Sequence, residues 1–346
     1  MMNDRLKGDY FFMDISIRQI QGNSGIDIWA QNLCAGIQRS GHHCTLNLGP
    51  PIFEFFPNLL SLMRANNDVD IIHSNSWNGY AFKNELPLVI TEHHVIHDPE
   101  YNAYRTLVQK LYHRWIYHCE QRSLKVADVV TCDCEYTRKK LEEVFGYSDA
   151  HLVYVGIDEK LFSPSYQETD TMDIPKAKNV LFFAGNLSRR KGADLLPAIM
   201  NHLGDEYLLL VASGQKQGSV LGCSNIVNLG RLPLDQMVAT YNRCDIFLTP
   251  SRLEGFGLSV AEAMACRKPV VATNCSSLPE LVVDGKGGFL CRMDDVQDFA
   301  EKIQHLAADE DLRQEMGVFN RKRVEEKFTI EKMTEEYLSI YRSLIQ

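Results

Sequence analysis

Thr249-Pro-Ser-Arg-Leu-Glu254-Gly-Phe-Gly-Leu-Ser-Val-Ala-Glu262-Ala-Met-Ala-Cys-Arg-Lys-Pro-Val-Val-Ala-Thr273 is the stretch that decides how this chain folds. It follows the apolar run Ile246-Phe247-Leu248 and ends in a second apolar run, Val270 to Ala272. Between them lie a glycine-flanked loop and a short helical stretch built largely of small residues. The order is strand, glycine turn, helix, strand. Glu254 lies in the loop, and Glu262 one turn inside the helix. Free backbone N–H groups at a helix start can hold a phosphate or a sugar hydroxyl. Ionised carboxylates accept hydrogen bonds from vicinal sugar hydroxyls.

Working outward, apolar runs alternate with helix-period stretches almost throughout, the signature of α/β architecture with helix-covered parallel sheets. In the first half the expected strands are Tyr10–Ile15, Cys44–Leu48, Val69–His73, Leu88–Thr91, Val129–Cys132 and Leu152–Val155. The expected helices there are Ile26–Arg39, Tyr101–Lys125 and Glu135–Phe145. The pattern restarts at Asn179–Ala184 and continues through Tyr207–Val211, Ile226–Leu229, Ile246–Leu248, Val270–Ala272 and Phe289–Cys291. After Val296 the chain reads as helix, with breaks near Asp309 and Thr329. The expected organisation is a first domain over 1–164, a linker over 165–178 poor in large apolar residues, a second domain over 179–328, and a last helix over 329–346.

A chain of 346 residues suits two cores rather than one. With 45% hydrophobic and 23% charged residues it has the composition of a soluble globular protein. A net charge of -9 argues against a nucleic-acid partner. No apolar run approaches a membrane span and no signal-peptide core opens the chain, so a cytoplasmic protein is expected. Most of the ten cysteines sit in apolar or helical stretches, such as Cys34, Cys119, Cys244 and Cys266, and read as reduced structural thiols.

Four further segments carry chemistry. Gly185-Asn-Leu-Ser-Arg-Arg-Lys-Gly192 follows a strand and precedes a helix expected near Ala193. Its cations can clamp a diphosphate, or it is an ordinary solvated basic loop. At Asn23-Ser-Gly-Ile-Asp27, Gly25 lets backbone approach a phosphate or an acceptor, or simply turns strand into helix. Thr91-Glu-His-His-Val-Ile-His97 ends a strand and sets three imidazoles and Glu92 at a sheet's carboxyl edge, where ligands of open α/β folds bind. A zinc reading of Glu92, His94 and His97 ranks low because no complete ligand spacing is present. His73, also at a strand end, reads as a polar core histidine. Residues 110–125 mix cations with aromatics; packing of one aromatic face on the core is preferred over lying on an anionic membrane surface.

The Glu254-to-Glu262 spacing with Gly-Phe-Gly inside it resembles the donor-sugar signature of retaining glycosyltransferases of family 4. The likeness runs from the loop at Gly25 to Tyr337-Leu338-Ser339-Ile340-Tyr341, dense in the second half and sparse before residue 120. It implies a GT-B fold: two facing Rossmann-like domains, with the last helix crossing back to the first. It implies that Gly25, Gly185, Asn186, Arg189, Arg190, Lys191, Glu254, Gly255, Phe256, Gly257, Leu258, Ser259 and Glu262 bind a nucleotide sugar. Glu262 takes the ribose hydroxyls, Glu254 and the backbone of 255–258 the sugar, and Lys191 the leaving diphosphate. Glu254, Lys191 and His93, which faces the reacting sugar, carry catalysis. The family has Arg where this chain has Asn186, so Arg189 or Arg190 supplies that charge. It commonly has two glycines where this chain has Gly25 alone. No metal or other cofactor is expected, since protein cations stand in for Mg²⁺. The partners implied are a nucleotide sugar and a saccharide, lipid-linked glycan or other cell-envelope precursor, with peripheral contact at the cytoplasmic membrane face as the alternative to a wholly soluble enzyme. A nucleotide-sugar epimerase of the same architecture and a silent sugar-nucleotide-binding partner are the rival readings.

Overall fold

The computed structural model describes residues 12–22, 25–56, 59–60, 68–99, 105–164, 177–214 and 222–345. The chain divides into two compact units, Met1–Gly156 with Ile330–Gln346, and Ile157–Thr329. Residues 157–164, assigned to the first domain on sequence grounds, thus belong with the second unit. Most of the expected linker, 165–176, lies outside the described residues.

The first unit is built from β1 (Asp14–Ile20), α1 (Gly25–Arg39), β2 (His43–Gly49), β3 (Ile71–Asn75), β4 (Leu88–Glu92), α2 (Leu107–Val126), β5 (Val129–Cys132), α3 (Glu135–Phe145) and β6 (His151–Leu152). Its strands form one parallel sheet in the order β2-β1-β3-β4-β5-β6. β3 and β4 are buried along their whole length, as strands covered on both faces must be.

Four elements of this unit differ from the sequence reading; β3 lies at 71–75 and not 69–73. β1 runs over 14–20 instead of 10–15, because the polar Ser16 and Arg18 are buried inside it, Arg18 Nε donating to Ser16 Oγ at 3.0 Å. β6 ends at Leu152, beyond which the Val153 N–H still reaches the sheet, at the Cys132 carbonyl. α2 starts at Leu107 because Thr106 forms a reciprocal capping box with Gln109, at 3.2 and 2.9 Å; the expected start at Tyr101 lies outside the described residues. The second half of α2 buries Ile116, Cys119, Ser123 and Leu124. Its first turns do not pack on the core: Leu107, Val108 and Leu111 are 80%, 77% and 70% exposed, and Trp115 is exposed with them.

The second unit comprises β7 (Asn179–Ala184), α4 (Leu196–Leu203), β8 (Tyr207–Ala212), β9 (Ile226–Gly230), α5 (Leu234–Arg243), β10 (Ile246–Thr249), α6 (Leu258–Ala265), β11 (Val270–Thr273), α7 (Leu278–Leu281), β12 (Gly288–Cys291), α8 (Val296–Ala308) and α9 (Glu310–Lys327). Its sheet is parallel, in the order β12-β11-β10-β7-β8-β9. One core joins Leu181, Phe183, Leu209, Val211 and Leu248 of the strands to Leu196 and Met200 of α4 and Phe299 and Ile303 of α8. The last helix, α10 (Ile330–Ile345), belongs to the first unit. It sits so close to α1 that a Cβ on Gly36 would fall 2.0 Å from Thr334 Oγ1. Its Tyr341 hydroxyl lies 2.6 Å from His73 Nδ1, and its Tyr337 hydroxyl 3.0 Å from Thr91 Oγ1.

In each sheet the winding reverses at one place, between β1 and β3 in the first unit and between β10 and β7 in the second. The carboxyl ends of strands beside such a reversal leave a crevice between diverging loops, where ligands of doubly wound sheets bind.

Candidate functional site

In the second unit the reversal brings together the loop after β7 and the loop after β10, which hold Gly185–Gly192 and Glu254–Gly257. The segment before α4 is not the helix start expected near Ala193. Arg189–Lys191 form a single 3-10 turn capped by Ser188, and α4 begins only at Leu196. Positive potential here therefore comes from side chains and not from a helix terminus. Gly192, at φ +67°, is required twice over: its conformation is left-handed, and a Cβ would lie 1.9 Å from the Pro250 carbonyl oxygen. That close approach lays one loop on the other.

The contact delivers Lys191 to Glu254. Lys191 Nζ donates to Oε1 and Oε2 of Glu254 at 2.6 and 2.8 Å, and Ser251 Oγ donates to Oε1 at 2.7 Å. Arg190 Nη1 lies 4.0 Å from Oε2 and donates to the Leu253 carbonyl at 2.9 Å. Burial works to raise the Glu254 carboxyl, but Lys191 and Arg190 outweigh it and hold the group below its ordinary range. Burial pulls the Lys191 ammonium below its usual value, with Glu254 opposing. Of the two arginines in the basic loop, Arg190 stands beside the carboxylate. Arg189 is 70% exposed, with Asp194 at 3.9 Å. Asn186 is exposed as well.

Gly257, at φ +97°, ends the loop and caps α6. The N–H groups of Leu258 and Ser259 make no backbone hydrogen bond among the described residues, leaving two donors at the helix start. Gly255, Leu258 and Ser259 are half-buried and Phe256 is buried. Glu262 faces α5, where the Tyr241 hydroxyl donates to its Oε2 at 2.7 Å. Burial pushes Glu262 up to about 7, against the pull of that hydrogen bond.

Sequence reasoning missed Tyr241 and Arg252. Arg252 is buried and donates to Asp194 at 2.7 and 3.1 Å, to Asp294 at 2.6 Å and to the Arg189 carbonyl. It ties the basic loop to the Glu254 loop from behind. An arginine two residues before Glu254 and three after the end of the buried strand β10 was the available signal.

In the first unit the reversal opens a cavity of about 310 Å³ at the ends of β1, β3 and β4. His93 lines it, with Nδ1 3.2 Å from Asp133 Oδ2 and its ring edge-on to Trp29. Gly25 is exposed at the start of α1; Asn23 and Ser24 lie outside the described residues. The acidic residue two positions on, Asp27, is held by the Gly22 N–H and by Gln19. His73 is a fully buried core group, pushed down to about 3 by burial. His97 Nε2 sits 2.6 Å from Glu120. Burial lowers His97 to about 4 and raises Glu120 above the carboxylate range. Among the described residues no three His, Cys, Asp or Glu side chains are grouped to hold a metal ion. Among them, too, no helix is long and apolar enough to cross a membrane.

Two family models match the chain: Glycosyl transferases group 1 over residues 167–323, and Glycosyltransferase Family 4 over residues 37–161. The D-inositol 3-phosphate glycosyltransferase of Corynebacterium aurimucosum is 31% identical over 283 residues, covering 72% of this chain and 66% of that protein. The chain spans 60% and 54% of the length of two other curated relatives. Sucrose-phosphate synthase from Thermosynechococcus elongatus superposes with a TM-score of 0.83 at 20% identity, over 96% of this chain and 99% of that one. Anabaena Alr3699/HepE, solved in complex with UDP and glucose, gives 0.75 at 17% identity, over 96% and 100%. The two parallel sheets and these likenesses make the fold a two-domain α/β GT-B fold. On its matched sequence and its fold, the chain belongs to the group 1 glycosyl transferases, glycosyltransferase family 4.

Proposed function

We propose that this protein is a retaining glycosyltransferase that moves a hexose-type sugar from a nucleoside diphosphate to a saccharide or lipid-linked glycan, with no metal ion taking part. The bond from the anomeric carbon to the diphosphate breaks, and a bond from the acceptor oxygen to that carbon forms on the same face. The acceptor's proton passes to the departing phosphate oxygen. The observation that carries this reading is the Lys191–Glu254 pair at a winding reversal, with Arg190 beside it. Glu254 is assigned to the donor sugar's hydroxyls and Lys191 to the diphosphate. One bond network thereby joins recognition of the sugar to stabilisation of its leaving group. The N–H groups at the start of α6 and the Glu262 carboxylate are assigned to the nucleotide sugar, and His93 of the first unit to the reacting sugar. The complexes of Anabaena Alr3699/HepE with UDP and glucose and with UDP-glucose support a nucleotide-sugar donor. The exposed apolar start of α2, with Lys110 and Arg114 exposed beside it, supports contact with an anionic membrane surface.

A thermal-shift panel of nucleotide sugars, with the free nucleoside diphosphates as controls, tests the donor. A ligand at a hundred times its Kd stabilises the fold by about 2.7 kcal/mol. The expected result is a shift with one nucleotide series, reduced in Glu254→Gln for the sugar conjugate more than for the free diphosphate. Equal loss for both would remove Glu254 from sugar recognition.

A further inference from the structure

The first unit's cavity carries a charge pattern that identifies what enters it. Asp27, Glu54 and Glu92 line it with Asn75, Trp77 and His93, and no Lys or Arg is among the described lining residues. Three of these side chains are more than nine-tenths buried and leave a polar atom without a partner among the described residues: Asn75 Oδ1, Glu92 Oε2 and His93 Nε2. Buried polar atoms are nearly always paired, so three such orphans around one cavity mark a site shaped for a ligand that pairs them. Asn75 Oδ1 is an acceptor and calls for a hydroxyl or amide donor, which a saccharide supplies. A phosphate brings negative charge toward Asp27 and Glu54, with no Lys or Arg among the described lining residues to offset it, and a neutral saccharide brings none. Trp77 adds an aromatic surface of the kind that sugar C–H faces cover.

We infer that the acceptor end entering this cavity is an uncharged saccharide, selected against its phosphorylated counterparts. This rests on the glycosyltransferase reading above and narrows it. The D-inositol 3-phosphate glycosyltransferase relative, by its name, acts on a phosphorylated compound. The inference therefore separates this chain from that relative on acceptor charge. Glu54 contributes through position as well as charge: it ends a 3-10 turn (Pro51–Glu54) and receives the Tyr112 hydroxyl of α2, which fixes it at the cavity wall.

The test uses matched pairs on the full-length chain: glucose, mannose, N-acetylglucosamine and myo-inositol, each beside its monophosphate. Histidine-ring NMR, with His93→Gln to assign the resonance, reads occupancy of the cavity without requiring turnover. A neutral member should move the His93 signal at a concentration about ten-fold or more below that of its phosphate. Transfer from a nucleotide sugar should follow the same order in kcat/KM. Glu54→Lys should shrink the preference about ten-fold, and Glu54→Gln by less. Phosphates that move His93 or accept sugar as well as their neutral partners would overturn the inference, as would neutral members that all leave His93 unmoved. Donor hydrolysis measured on the same protein keeps the two claims apart. If no donor is turned over while neutral sugars still move His93, the transferase reading falls and the cavity assignment stands.

Discussion

Replacing Glu262 by Gln should stabilise the protein while weakening its hold on nucleotide. The carboxyl is buried and accepts a hydrogen bond from Tyr241. Burial raises it from an ordinary 4.5 to about 7. The folded state therefore binds the Glu262 proton more tightly than the unfolded chain does. Below pH 4.5 both states carry the proton and the shift has no effect on stability. Between 4.5 and about 7 the unfolded chain ionises first, and stability falls as pH rises; above 7 the loss is complete. The interval of 2.5 pH units, 7 minus 4.5, corresponds to an upper value of about 3 kcal/mol. Gln keeps the shape and still accepts from Tyr241, but does not ionise. Urea unfolding should show Glu262→Gln close to wild type at pH 5 and more stable by about 1–3 kcal/mol at pH 8. In calorimetry, nucleoside diphosphate affinity should drop about ten- to a hundred-fold at pH 8, because a charged acceptor of the ribose hydroxyls is gone. A variant less stable than wild type at pH 8, or a stability difference that does not change with pH, would refute the reasoning on Glu262.

Other outcomes follow from the same geometry. Lys191→Ala should lower kcat about 10²–10³-fold, more than it changes KM, while Arg189→Ala stays within about two-fold; comparable losses from both would misplace the diphosphate clamp. Gly192→Ala should destabilise by more than about 1 kcal/mol in urea unfolding, since it adds a left-handed-backbone penalty to the clash with the Pro250 carbonyl; a neutral result would deny the packing of one loop on the other. Vesicles rich in anionic lipid should bind the chain in flotation, and Leu111→Asp should abolish that binding without moving Tm by more than a degree or two, Leu111 being 70% exposed. Binding unchanged by the substitution would exclude the α2 face.

What the sequence discloses here depends on how far apart the interacting parts lie. Strands such as β7 and helices such as α3 are read directly, because a strand buried on both faces is a continuous apolar run and Gly146 closes α3 in a left-handed cap at φ +68°. β1 is misread because Arg18, a residue that ordinarily excludes a buried strand, is accommodated inside it by Ser16. Lys191 and Glu254 are each visible as candidates. Their bond across 63 positions is not, because it depends on which strands neighbour the winding reversal. Tyr241 and Arg252 escape for the same reason: their roles exist only once α5 faces α6 and Asp194 and Asp294 both reach Arg252. The start of α2 shows the reverse case. A mixed aromatic and cationic run reads as core packing before it reads as a surface, and only the fold shows that Leu107, Val108 and Leu111, at its start, have nothing to pack on among the described residues.

The most direct test of the central claim is the anomeric form of the first sugar released from an α-linked nucleotide sugar by the full-length chain, followed by proton NMR before mutarotation scrambles it. The account predicts that α-sugar appears first, from slow hydrolysis or from transfer to a neutral saccharide, and that Lys191→Ala suppresses it. Release of β-sugar first would contradict retention. A nucleotide sugar converted to its epimer with no sugar released would contradict transfer itself.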